Sequence, residues 1–571
     1  MASRRLGQIL VDLGFIDEEQ LDLLVDEQSQ RSGVKLGAIA VEMNMISEDQ
    51  LAQALGEQMG IPIVNVSDLT IPPEVLAHMT EPMARMYNAI PISFRNDTLT
   101  IATSQPERLE VIDELRNFLG YNIQATVTTP HEIEAALERY YASNEGDSVE
   151  SIMNELASDQ ELLDQAMAEE NGELDLASAE AMAESAPVRK LLNTVFLLGI
   201  KDKASDLHFE PFEDEFKIRI KADGTLYEMV PPPRHLASAI TTRIKVLANL
   251  DIAEKRLPQD GRIRMLVAGT PVDFRVSVLP TMFGESVVCR ILDKSVISLD
   301  LNNVGMSPEL MSQFREVIKK PNGIVLVTGP IGSGKTTTLY SALSELNVIT
   351  EKLMTTEDPV EYDIDGIVQM PIDAEIGNTF AQCLRSILRQ DPDIVLVGEI
   401  RDQETAQIAV QAALTGHLVF STLHTNDAPN TITRLKDMGI PEFLITATVQ
   451  AILAQRLVRR ICPDCRTEYS PSPDLLADLG LTEKDIAGKH FYQGAGCPKC
   501  NNTGYKGRTA IHEFMIMNEE IRDLVLRSAP ASEVKEAAER NGMFTLRTAG
   551  LAKVFDGITT VEEVVRETVL D

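Results

Sequence analysis

The stretch from Gly323 to Leu346 leaves this chain few choices of fold. Residues 323–328 (GIVLVT) form a short apolar run of buried-strand type. The next eight read Gly329-Pro-Ile-Gly332-Ser333-Gly334-Lys335-Thr336, and the segment behind them (TTLYSALSEL, from Thr337) has helix-like composition. In that order the glycines let backbone N–H groups curl around the β- and γ-phosphates of a nucleotide at a helix N-terminus. Lys335 adds a point charge and Thr336 offers a hydroxyl to Mg²⁺. A bare glycine-rich turn has the same letters, but the strand before it and the helix after it argue for the phosphate cradle.

Further along, Ile394–Val397 is a second apolar run that ends in Gly398-Glu399-Ile400-Arg401-Asp402. A nucleotidase needs its magnesium-water ligand at the carboxyl end of a neighbouring strand, so Glu399 is the candidate; a solvated strand end is the plainer alternative. Between the two runs lies Thr356-Glu357-Asp358-Pro359-Val360-Glu361-Tyr362. One of its three carboxylates can polarise an attacking water while the others orient it or hold magnesium, and residue types alone do not choose among them. After the second run, His417 and His424 bracket an apolar strand, each readable as a γ-phosphate sensor or as a packing residue.

At 571 residues the chain is long enough for several domains. A formal charge of -35 argues against a general nucleic-acid binder, because phosphate backbones need Lys and Arg to displace counterions. No apolar run reaches the roughly 18 residues that span a bilayer, and Asp12 interrupts the start, so a cytoplasmic protein with no direct membrane insertion is expected. Residues 5–28 and 35–58 align without gaps as an internal repeat, each copy reading as a short apolar helix, a turn, an Asp17 or Ser47 N-cap and a second helix. The expected domains are a helical repeat over 1–60, a small α/β part over 61–143 opening on a strand at Ile61–Val66, an acidic linker over 144–188, a second α/β domain over 189–295 and the nucleotide core over 296–571. The linker carries 13 acidic residues and no Lys or Arg.

Cys462-Pro-Asp-Cys465 and Cys497-Pro-Lys-Cys500 bring four thiols together, with Gly494, Gly496 and Gly504 suited to tight knuckles. Four thiolates favour tetrahedral Zn²⁺ at about 2.3 Å in a closed, structural site over 462–500. Redox-active pairs are the alternative. Cys289 and Cys383 read as buried small side chains.

Taken together, GPIGSGKTTTLYSAL, TTEDPVEY, RQDPDIVLVGEIRD and TGHLVFSTLHTND resemble the secretion ATPase superfamily of type II secretion and type IV pilus assembly. The resemblance covers almost the whole chain and extends upstream to Ala204–Pro211, Asp223-Gly224, Gln259–Arg262 and Phe274–Thr281. It implies a multidomain α/β protein with a RecA-like P-loop ATPase core, a preceding α/β N-terminal domain, a small helical repeat domain and a tetracysteine zinc element. By motif, Gly329, Gly332, Ser333, Gly334, Lys335, Thr336 and Thr337 bind ATP and Mg²⁺, Glu361 is the catalytic carboxylate, Glu399 the second acid, and His417 and His424 the histidine box. Arg275 and Arg290 stand where the family has arginine fingers, with Arg262 a weaker candidate. Ile331 departs from the commoner GPTGSGKT but shapes the loop more than it touches phosphate.

The family works as homohexamers with an inner-membrane platform protein and a cytoplasmic adaptor. Its extension and secretion members carry the tetracysteine element that retraction members generally lack. The repeat resembles a cyclic di-GMP-binding N-terminal domain, which implies Arg5, Leu6, Gly7, Leu10, Gln28, Lys35, Leu36, Gly37 and Gln58 as its ligand set. Lys35 in place of Arg and Asn44 in place of Gly depart from that pattern, and a docking-only repeat stays open. The expected function is pilus extension, with type II secretion as the alternative; a nucleotide-sensing switch and a nucleic-acid motor are the competing classes.

Overall fold

A computed structural model describes residues 4–31, 34–141, 183–229, 231–293, 299–374, 376–481, 483–486 and 488–568. The acidic linker lies outside the described residues up to 182, and its last residues belong instead to the helix Ala186–Lys201. The chain divides into two compact units, Met1–Val296 and Ile297–Asp571.

The first unit opens with the repeat as four helices: α1 (Leu6–Asp12), α2 (Glu18–Gln30), α3 (Leu36–Glu42) and α4 (Glu48–Met59). Asp17 with Gln20, and Ser47 with Gln50, form two equivalent capping boxes that satisfy the first free N–H groups of α2 and α4. A small sheet follows, with β1 (Ala89–Arg95) antiparallel to β2 (Thr98–Thr103) and β2 parallel to β3 (Asn122–Val127). The strand expected at Ile61–Val66 does not form. Pro62 has no N–H for a ladder, Ile63 makes only an isolated bridge to Val127, and Val66 begins a 3-10 turn.

Beyond the helix Ala186–Lys201 comes a six-stranded antiparallel sheet in the order β6-β5-β4-β9-β8-β7. Its strands are β4 (Asp206–Pro211), β5 (Phe216–Ala222), β6 (Thr225–Glu228), β7 (Gln259–Val267), β8 (Thr270–Thr281) and β9 (Gly284–Asp293). The alternation in these strands turns Phe216, Ile218, Phe274, Val276 and Cys289 inward. One apolar core runs from Met79 and Leu115 of the small domain through Phe196 to Phe274 and Ile291, so the parts read as separate domains share their interior.

The second unit is built on a seven-stranded sheet, order β12-β11-β13-β14-β10-β15-β18. Its strands are β10 (Gly323–Thr328), β11 (Leu353–Glu357), β12 (Ile367–Pro371), β13 (Ile394–Val397), β14 (Leu418–Leu423), β15 (Val449–Ile461) and β18 (Tyr505–Ile516). All pairs are parallel except β15 with β18. Every residue of β10, β13 and β14 is buried, as helices on both faces require of a parallel sheet. Between β15 and β18 a small ribbon of β16 (Arg466–Tyr469) and β17 (Phe491–Gly494) carries the cysteine pairs.

Candidate nucleotide site

The phosphate loop leaves the carboxyl end of β10 and turns into the helix Lys335–Leu346 at Gly334, whose φ of 84° is open chiefly to glycine. A side chain at Gly329 would meet the Gln455 carbonyl at 2.4 Å and Ser333 Oγ at 2.6 Å. The loop is thus wound tightly against β15. Lys335 Nζ donates to the Gly329 and Pro330 carbonyls, each at 2.9 Å, so its ammonium is folded back onto its own loop. Burial lowers the Lys335 ammonium to about 8, Glu399 opposing the shift and Arg456 adding to it. Ile331, the departure from the commoner loop, is 88% exposed at the tip.

Glu399 follows the end of β13, two strands from β10. Its carboxylate takes Arg401 Nη2 at 2.5 Å on one oxygen and His424 Nε2 at 3.2 Å on the other. Burial alone would raise this carboxyl, but Arg401 and His424 hold it below its usual range, so it stands as an anion. His424 comes just after β14 and is therefore at the same edge.

His417 is not. The pairing of β10 with β14 sets Gly323 against Leu418 and Thr328 against Leu423, so His417 precedes the far end of β14, about 20 Å from the loop at roughly 3.3 Å per residue. Its Nδ1 lies 2.9 Å from the Ala412 carbonyl and 3.2 Å from Thr415 Oγ1. Within this chain His417 closes the turn that precedes β14, while His424 stands at the loop's edge of the sheet.

The three carboxylates after β11 also separate. Glu357 is 4% exposed and accepts from the Tyr340 hydroxyl, from Thr355 Oγ1 at 2.5 Å and from Gln369 Nε2 at 3.1 Å. Both its oxygens are used, so it orders the loop. Asp358 is exposed; Glu361 is part-buried, and its backbone N–H reaches the Tyr340 hydroxyl at 3.4 Å.

Residue types alone did not point to Gln455, which grips the loop through Ser333 and Thr338, or to Arg456, whose Nη2 donates to Asn426 Oδ1 at 3.1 Å. The available signal was a Gln-Arg pair interrupting the apolar run 451–458 of β15.

In the first unit, Arg262, Arg275 and Arg290 lie directly across from one another on β7, β8 and β9, and Asp206 of β4 continues the row. Arg290 Nε meets Asp206 Oδ1 at 2.9 Å; burial would raise the Asp206 carboxyl, but Arg290 and Ser205 hold it low.

The four Sγ atoms of Cys462, Cys465, Cys497 and Cys500 lie within 4.8 Å of one another, with separations of 3.9, 3.9 and 3.7 Å among them. Four sulfurs at about 2.3 Å from one tetrahedral ion stand roughly 3.8 Å apart, so the donor set fits Zn²⁺. The Cys497 and Gly504 N–H groups donate to Cys500 Sγ at 3.2 and 3.3 Å, and Gly494 packs on Gly504 with no room for a side chain.

In the repeat, Gln28 Nε2 donates to the Val34 carbonyl at 3.0 Å and Gln58 Nε2 to the Arg4 carbonyl at 2.8 Å. Each glutamine therefore holds the residue before the other copy's cation, Lys35 or Arg5. Both cations are exposed, and Lys35 Nζ pairs with Glu107 at 2.7 Å. Leu6 and Leu36 are half-buried. Leu10 is fully buried, and side chains at Gly7 and Gly37 would strike Leu21 at 2.4 Å and Leu51 at 2.6 Å. These three pack within the helical repeat.

A phosphate loop at the carboxyl edge of a parallel sheet, with an anionic glutamate two strands away, defines a P-loop ATPase. Residues 181–566 match the type II/IV secretion system protein family and residues 59–147 the MshEN domain, a segment that takes in the small α/β domain and starts near the end of the repeat. The chain belongs to the type II/IV secretion system protein family. It is 45% identical to the type IV pilus assembly ATPase PilB of Myxococcus xanthus over 100% of both chains. It is 38% identical to PilB of Pseudomonas aeruginosa over 99% of this chain and 98% of that one, and 45% identical to the type II secretion system ATPase E of Vibrio cholerae over 81% and 91%. The solved ATPase DotB of Yersinia pseudotuberculosis superposes with a TM-score of 0.50 at 22% identity, covering 66% of this chain and 94% of that one, a likeness of fold.

Proposed function

We propose that this chain is the motor subunit that powers type IV pilus assembly, working as a homohexamer in the cytoplasm against an inner-membrane platform protein and a cytoplasmic adaptor. The observation that carries it is the full-length match to pilus assembly ATPases around an intact phosphate loop. The backbone of Gly329–Gly334 receives the β- and γ-phosphates, and Lys335 turns from its own loop carbonyls to their charge. The Thr336 hydroxyl and the Glu399 carboxylate are the groups to hold Mg²⁺ and its water; the bound ion supplies charge neutralisation across the phosphates. Glu361 accepts the proton of the attacking water, and His424, bonded to Glu399, reports on the γ-phosphate edge. Arg275 and Arg290 act as fingers toward a neighbouring subunit's nucleotide. The four cysteines hold a structural Zn²⁺. Arg5, Lys35, Gln28 and Gln58 bind cyclic di-GMP between the two repeats, with Leu6 and Leu36 against its bases.

Lys335→Gln in the native host decides between the machines. Loss of surface pili with type II secretion intact supports the reading, and lost secretion with pili retained transfers the chain to the other machine.

A further inference from the structure

We propose that Gln455 is a positioning residue of the phosphate loop, fixing the Ser333–Gly334 peptide so that the Gly334 N–H faces the nucleotide; this rests on the ATP-binding reading above. Gln455 extends one residue past the β15 partner of Thr328, so it stands beside the loop as the chain leaves β10. It is 2% exposed. Its Nε2 donates to the Ser333 carbonyl at 2.8 Å, and its Oε1 accepts from Thr338 Oγ1 at 2.8 Å. The carbonyl can only accept, so the orientation of the amide is determined, and the threonine hydroxyl seals it from the other side.

In a trans peptide the carbonyl and the following N–H point to opposite sides. Anchoring the Ser333 carbonyl on Gln455 therefore turns the Gly334 N–H away from β15, toward the concave side of the loop where phosphate oxygens are received. Contact is close on the glutamine's side: a side chain at Gly334 would lie 2.9 Å from Gln455 Nε2, and one at Gly329 would lie 2.4 Å from the Gln455 carbonyl. One residue thus limits the loop at both of its ends. A buried amide whose two ends are both used is costly to replace, because each partner left behind is itself buried.

The test uses the full chain, with binding of a fluorescent ADP analogue, competition by pyrophosphate and steady-state ATP turnover. Gln455→Glu keeps the volume but sets an oxygen against the Ser333 carbonyl. We expect ADP and pyrophosphate affinity to fall about tenfold or more, and KM for ATP to rise in step while kcat stays within about twofold. Gln455→Met, without either hydrogen bond, is expected to show a smaller loss in the same direction and carries the test if the glutamate variant does not fold. Thr338→Val is expected to weaken pyrophosphate less, and to add nothing further in the Gln455→Met background. Wild-type affinity for ADP and pyrophosphate in both Gln455 variants, with only the melting temperature lowered, overturns the proposal and leaves a core hydrogen bond. Failure of the unmutated chain to bind ADP sinks the ATP-binding reading instead.

Discussion

Lys335 is held in the loop by two carbonyls and partly stripped of water, and burial brings its ammonium down to about 8. Phosphate binding needs the charged form. ADP affinity should therefore be flat below about pH 7 and weaken as pH rises past about 8, approaching tenfold per unit, whereas Lys335→Arg should flatten the profile because a guanidinium stays charged. Titration calorimetry across pH 6.5–9.5 reads this, and a flat wild-type curve contradicts it. Glu513 shows the opposite shift. Burial, with Asp427 nearby, raises it to about 7, although it accepts the N–H groups of Ala428 at 2.7 Å and Leu546 at 3.3 Å, the first residues of two helices. A carboxyl raised in the folded state contributes its stability below the unfolded value near 4.5 and loses it as pH climbs through 7. Glu513→Gln should therefore melt higher than the parent at pH 8 and about equally near pH 4.5. Lys335 and Glu399 were legible as letters because a phosphate cradle demands them in sequence. Gln455 and Glu513 were not, since their partners lie 122, 85 and 33 residues away along the chain.

Among the elements, β15 joins two sites that looked unrelated in sequence. Gln455 braces the phosphate loop, and beyond it Cys462 follows the end of the same strand and donates its N–H to the Gly504 carbonyl at 2.9 Å. β18 returns antiparallel from the cysteine ribbon, so the thiols close the end of a two-stranded arm. Closed four-cysteine zinc sites contribute folding energy outright. Cys462→Ser, or exhaustive chelation, should release zinc and make the 462–504 segment protease-sensitive while β10 and its loop still bind ADP; a protein with no zinc by elemental analysis and an unchanged digest speaks for free thiols. The strands at Gly323–Thr328 and Ile394–Val397 were readable because they are apolar along their whole length, as buried parallel strands must be. The Ile61–Val66 segment looked much the same, but Pro62 denies it a ladder. The shared interior from Leu115 to Phe274 left no trace in a linear pattern, since shared cores are set by which faces meet.

For the whole molecule, the decisive feature is a division of labour along the chain. The phosphate loop, Glu399 and His424 belong to Ile297–Asp571, while the arginine row of Arg262, Arg275 and Arg290 belongs to Met1–Val296. Under the proposed ring, a nucleotide bound by one subunit meets the arginines of the next, and hydrolysis moves the joint between them. Arg275→Ala should then reduce ATP turnover by about a hundredfold or more while leaving ADP affinity intact, the loss usual for a charge aimed at the transition state. Lys335→Gln should abolish binding. Mixing the two inactive variants before assembly distinguishes a shared site from a self-contained one. If each site draws its lysine from one subunit and its arginine from another, an equal mixture has about a quarter of its interfaces intact and regains activity that neither variant shows alone. If lysine and arginine serve the same subunit's nucleotide, no mixture contains an intact site, and turnover stays at the level of the parents.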